Sequence, residues 1–400
     1  MATASPATPS PAPTAPRLDS IDALRGLVMV LMALDHTRDF FHFGAIHGHD
    51  PLNIHQTTPA LFFTRWITHY CAPTFIFLAG LGAFLSGTRG KSRRELSWFL
   101  LTRGLWLVLL EVTFVQWIGW SFGFDWHVHY AAVIWAIGWS MVALAALVHL
   151  PVAAVAAFGL VMIVTHNAFD GVKASTLGTY GPLWTILHEG GNVDLGAGHQ
   201  LAASYPLIPW VGVMAAGYGF GHLFLHTALP RRTLLLRLGL ALTAAFVGLR
   251  LSNLYGDAHP WSVQSTPLQT LFSFLHCVKY PPSLCYLLMT LGPALIVLGL
   301  LDRGTPGWMK PLLHFGRVPM FFYLLHLPLL HGLAVLAALL SWGRADWLYG
   351  ATPAAPPPHV GFGLPGTYFA WLVGIVVLFF ACRWFAALKR RRRDTWLSYF

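Results

Sequence analysis

Apolar residues along the 400-residue chain fall in runs of about 20, the length a helix needs to cross a hydrocarbon core of roughly 30 Å. Short stretches of Gly, Pro, His and charged residues separate them. Ten such runs predict ten membrane helices: 22–43, 59–86, 96–118, 130–149, 151–168, 204–225, 233–254, 282–301, 312–341 and 366–388. The fourth and fifth meet at Leu150-Pro151. The expected fold is an all-α polytopic membrane protein of about ten transmembrane helices. Residues 1–16, MATASPATPSPAPTAP, have neither charge nor an apolar core and read as a disordered tail rather than a cleavable signal. Residues 17–388 then form one transmembrane domain, and 389–400, opening on Lys389 to Arg393, a basic C-terminal tail. No internal repeat or inverted pair of interrupted helices is visible, which argues against a secondary transporter.

Composition agrees with this pattern: 56% of residues are hydrophobic and only 10% charged, against about 25% in ordinary soluble chains. A water-soluble enzyme is excluded. The formal net charge of +10 does not indicate nucleic acid, because the basic residues sit in alternate connections. Arg89, Lys91, Arg93 and Arg94 follow the second helix, Arg231 and Arg232 the sixth, and Arg303 and Lys310 the eighth. By the excess of Lys and Arg in cytoplasmic loops, these connections and both termini are cytoplasmic. The other connections, rich in His, Gly, Trp and Pro, face the opposite side. Cys71, Cys277, Cys285 and Cys382 form no C-x-x-C pair, so no thiolate metal site is indicated.

Charged residues inside a span cost about 2.5–3.5 kcal/mol on insertion scales and are functional suspects. Helix 1 carries Asp22 and Arg25 at its cytoplasmic end and Asp35-His36 almost four turns later. Helix 2 carries Arg65 and, one turn deeper, His69, with Pro73 beside them; helix 3 has Arg103 low and Glu111 higher. Helix 9 has Arg317 low, then His326 and His331, with Pro319 and Pro328 loosening it. At matching depth, His36, His69, Glu111 and His326 could share one outward cavity. Histidine is suited to taking a proton from a hydroxyl or amine and returning it to a leaving group, with Asp35 or Glu111 orienting it. Each residue has an alternative structural role in helix–helix hydrogen bonding, and His36 a further one as a metal ligand. Asp22 and Arg25 are expected to pair, and Arg103 either holds an anionic cofactor's phosphate or snorkels. No Gly-x-Ser-x-Gly, P-loop or His-Glu-x-x-His occurs, leaving serine hydrolase, NTPase and zinc protease unsupported.

The run Arg17-Leu-Asp-Ser-Ile-Asp22-Ala-Leu-Arg25-Gly26 ahead of an apolar helix resembles the first-helix signature of the heparan-alpha-glucosaminide N-acetyltransferase catalytic-domain family, within the transmembrane acyltransferase superfamily. RWITHYCAPTFIFLAG at 65–80, YPLIPWVGVMAAGYGFG at 205–221, KYPPSLCYLLMTLGP at 279–293 and GRVPMFFYLLHLPLLH at 316–331 extend the resemblance, closest to the bacterial branch. It implies a multi-pass enzyme of the bacterial inner membrane. Such an enzyme moves an acetyl or other acyl group from cytoplasmic acyl-CoA to a glycan or amino sugar on the periplasmic side, without a metal. In glycan O-acylating relatives the proposed catalytic histidine stands eleven positions after the signature arginine, which is His36 here. In the N-acetylating branch it comes eleven later still, which lands on His47. With an acyl-CoA donor, Arg103 and Arg317 become the candidates for its phosphates. The rival readings are a histidine-rich metal or haem membrane protein, using His47, His49, His55, His127 and His129, and a transporter.

Overall fold

The computed structural model describes residues 18–350, 353–392, 394 and 397; the expected tail at 1–16 and much of the basic C-terminus lie outside them. Each of the ten apolar runs contains a helix: α1 (Asp19–Phe41), α2 (Pro59–Gly87), α3 (Arg93–Trp120), α4 (Val133–Leu147), α5 (Val152–Phe169), α6 (Leu207–Leu225), α7 (Leu229–Ser252), α8 (Leu284–Leu301), α9 (Pro319–Trp342) and α10 (Leu364–Arg391). Among the described residues, eight of these are long and apolar enough to cross a membrane. The other two are α4, at 15 residues, and α1, which carries Asp19, Asp22, Arg25, Asp35, Arg38 and Asp39.

Charge does not put α1 at the rim. It packs against α2, α8, α9, α10 and a short helix, Leu312–Gly316. Backbones approach closely here: a Cβ on Gly26 would strike the Leu312 carbonyl, and one on Gly316 the Asp22 carbonyl. The remaining helices pair as hairpins on facing glycines. A Cβ on Gly104 of α3 would lie 2.6 Å from the Gly138 carbonyl oxygen of α4, one on Gly159 of α5 2.7 Å from that of Gly212 in α6, and one on Gly239 of α7 2.7 Å from that of Gly292 in α8. Small residues at crossings maximise van der Waals contact where no hydrophobic effect drives helices together in lipid.

Several elements depart from the sequence expectation. The fourth helix starts at Val133 rather than 130 because 128–131 is a strand. That strand, β1 (Val128–Ala131), pairs in parallel with β3 (His199–Ala203), which forms an antiparallel hairpin with β2 (Gly191–Gly196). The hairpin turns at Ala197-Gly198, both at positive φ, +51° and +81°, the two-residue turn that suits the twist of paired strands. Segments expected to be loops therefore carry a small sheet. The ninth run is broken at Arg317-Val318: Val318 leaves the helical region, at φ −134° and ψ 55°, just before Pro319 begins α9. The residue before proline is pushed out of the α region by the ring. Finally, α3 is α-helical only to Leu110 and widens to π geometry over Glu111–Trp120.

Candidate active site

His36 and His326 meet. Their ring centroids are 5.3 Å apart, with the Trp120 ring edge-on to His36 at 4.9 Å. His326 Nδ1 faces only carbonyl oxygens, Tyr323 at 2.5 Å and Phe322 at 3.3 Å, so it must donate. Its Nε2 is then the basic nitrogen, buried with no hydrogen-bond partner. His36 is 16% exposed, and its Nδ1 lies 3.5 Å from Asp39 Oδ2. Asp39 starts a chain of charges running away from it. Arg38 Nη2 contacts Asp39 Oδ1 at 2.6 Å and Asp35 Oδ1 at 3.4 Å, and Arg65 of α2 donates to Asp35 Oδ2. Just past α1, burial and then the Arg38 guanidinium hold His42 below the usual histidine pKa. Its Nδ1 accepts from the Gly44 N–H at 3.1 Å.

The other expected residues stand elsewhere. Asp35 contacts Arg65 and Arg38, and the carboxylate beside the His36 ring is that of Asp39, at a distance that leaves His36 Nδ1 without a hydrogen bond. Glu111 is 1% exposed, and its Oε2 accepts from the N–H groups of Ile134 at 2.8 Å and Trp135 at 3.1 Å. It caps α4, whose first N–H groups have no partner within the helix. His69 is 1% exposed with neither ring nitrogen hydrogen-bonded, and its ring lies 5.4 Å from that of Tyr286 on α8. The four residues thus do not line one cavity. His47 Nε2 donates to the Val360 carbonyl at 3.1 Å, and its ring packs on Phe43, tying its loop to the 353–363 segment. His331 is a rivet: sandwiched between Phe40 and Phe122, it meets the Gly119 and Leu348 carbonyls at 3.1 and 2.6 Å.

A cavity of about 310 Å³ runs between α1, α2, α3, α4 and α9. At one end it is lined by Arg25, Ser86 and Arg103, at the other by Met32, Phe75 and Tyr323, with mostly apolar wall between. His36 and His326 are not among the lining residues; Met32 lies one turn before His36, and the Tyr323 and His326 rings are 5.2 Å apart, so the paired imidazoles stand behind the Met32 and Tyr323 end. Arg25 also holds Asp22 Oδ1 at 3.1 Å and the Gly316 carbonyl at 3.0 Å, the pairing expected. Arg317 does not line the cavity: it sits in the break before α9 and contacts Asp19 Oδ1 at 3.0 Å and Asp22 Oδ2 at 3.9 Å. Asp39 escaped the sequence reading although its spacing of three from His36 puts both on one helix face. Trp120 and Tyr323 carried no signal, since only the tertiary fold brings them to the imidazoles.

Apolar spans packed around a charged helix describe a multi-pass membrane protein. Residues 17–251, more than half of the chain, match the family heparan-alpha-glucosaminide N-acetyltransferase, catalytic. The protein belongs to that family, a membrane acetyltransferase family that uses acetyl-CoA as donor. His36, His69, Arg103 and Glu111 lie inside the matched residues; His326, and the resembling segments at 279–293 and 316–331, lie beyond them. A comparison with curated proteins finds no match.

Proposed function

We propose that the protein transfers an acetyl or similar acyl group from cytoplasmic acyl-CoA to a glycan or amino sugar on the periplasmic side of the bacterial inner membrane. The observation that carries this is the His36–His326 pair, one turn beyond the Met32 and Tyr323 end of a cavity whose other end is lined by Arg25 and Arg103. Positive-inside counting puts the arginine end in the cytoplasm. There a guanidinium can bind the donor's phosphates bidentately, while the apolar wall accepts the thioester arm.

Acyl transfer forms a bond from the acceptor oxygen or nitrogen to the acyl carbon and breaks the carbon–sulfur bond. His36 takes the proton that the acceptor loses and returns it to the departing thiolate. Asp39 steadies the imidazolium that forms in between. With Nδ1–H committed to carbonyls, His326 presents an Nε2 lone pair that orients the acceptor or the His36 ring. Asp35, Arg65 and Arg38 support Asp39, and His69, His47 and Glu111 act through structure.

Labelled acetyl-CoA supplied to membranes should give labelled acceptor. Arg103→Gln should raise the apparent KM for acetyl-CoA roughly tenfold, about 1.4 kcal/mol, near the low end for a hydrogen bond to a charged group. Arg317→Gln should leave it unchanged. An Arg103→Gln enzyme with unaltered donor dependence would show that the phosphates are held elsewhere.

A further inference from the structure

Away from this cavity, between α5 and α6, a second cluster has no part in acyl transfer. His166 opens the last, 3₁₀ turn of α5, Asp170 follows it, and His188 returns in a short π-helix, Thr185–Glu189. One ligand atom from each lies within 4.8 Å of the other two. Both histidines are 2% exposed. Neither nitrogen of the His166 ring has a hydrogen-bond partner, and His188 Nε2 lies 3.8 Å from Asp170 Oδ1.

The surroundings hold these groups in place. Asn167 Nδ2 donates to Asp170 Oδ2 at 2.9 Å, leaving Oδ1 to the cluster; Asn167 Oδ1 in turn accepts from the Leu284 N–H of α8 at 2.9 Å. Trp184 stacks on His188 with centroids 4.9 Å apart and planes at 16°, and its Nε1–H donates to the Val172 carbonyl at 2.9 Å. Asn167 and Trp184 are outer partners of the kind that orient metal ligands. His188 Nε2 donates to the His166 carbonyl oxygen at 2.9 Å, a bond that a metal ion at that nitrogen replaces. Lys173, on the same segment, pairs with Glu189, 3.8 Å away.

We infer that His166, His188 and Asp170 form a binding site for a divalent transition-metal ion of zinc type, which ties residues 166–189 to the end of α5. Two imidazoles and a carboxylate are a borderline nitrogen and oxygen set that suits such ions. Zinc bonds to them are about 2.0–2.2 Å, and small side-chain rotations bring the three atoms to that distance. The His166 carbonyl or water supplies a fourth ligand. The role is structural, because none of the three residues lines the acyl-transfer cavity.

The full-length protein, purified without a polyhistidine tag, stripped with EDTA and dialysed against Zn²⁺, should retain one zinc per chain and melt higher than the stripped form. His166→Ala and His188→Ala should each lose the ion, and Asp170→Asn should bind it more weakly; His127→Ala, in the neighbouring outward loop, should bind as wild type does. X-ray absorption of the zinc-loaded wild-type protein needs no variant and should show two imidazoles with oxygen ligands. No retained zinc, equal zinc in the His166 and His188 variants, or a shell of three or more imidazoles would overturn the assignment.

Discussion

At the scale of single residues, Pro73 links the sequence to the site. It has no N–H, so the His69 carbonyl four residues earlier loses its helical donor, and α2 tightens to a 3₁₀ turn over Thr68–Tyr70. The Tyr286 hydroxyl of α8 donates to that carbonyl instead, at 2.8 Å. One proline thus docks two helices and sets the depth of His69. Tyr286→Phe should destabilise the protein by about 1–3 kcal/mol, the cost of leaving a buried acceptor unmet. Adding Pro73→Ala, which restores an N–H, should recover part of that loss in thermal unfolding; strictly additive losses would contradict the exchange of donors. His36 and His326 were legible as charge-bearing residues at matching depth, because intramembrane polarity is costly enough to stand out in sequence. Trp120 and Tyr323 were not, because only the tertiary fold brings them there. Asp39 rather than Asp35 faces His36 because adjacent residues on a helix point about 100° apart while a spacing of three keeps two on one face.

For whole elements, each of the ten apolar runs holds a helix, eight of them long and apolar enough to cross a membrane among the described residues, since span length and hydrophobicity are properties of one segment alone. The strands were hidden: four to six residues of 128–131, 191–196 and 199–203 acquire their pairing from residues far away in sequence. The break before α9 was foreshadowed by Pro319, yet its consequence, moving Arg317 from the cavity to Asp19, was not. Glu111 shows how an element can claim a side chain that looked catalytic. As a cap for α4 it needs an acceptor oxygen, not a charge. Glu111→Gln should therefore keep activity within a few-fold, while Glu111→Leu should cost about 0.5–2 kcal/mol of stability, as lost caps do. A Gln variant that folds normally but does not turn over would return Glu111 to the chemistry.

For the whole molecule, the proposed reaction needs two faces with different tasks: arginine at one end of the cavity for the donor, and the histidines behind the other end for the acceptor. The proposed sidedness rests on the basic connections, and the four native cysteines are all buried, which favours mapping with single introduced ones. A Cys replacing exposed Gln56 should react with an impermeant reagent in intact cells, and one replacing exposed Lys91 only after lysis; the reverse pattern would invert the molecule and the route of the donor. The most direct test of the central claim is the rate of label transfer from acetyl-CoA in membrane vesicles carrying wild type or His36→Ala at equal inserted amounts. General acid–base assistance is typically about 10²–10⁴-fold, so the rate should fall by that factor. A His36→Ala protein that inserts normally and transfers at the wild-type rate would contradict the account.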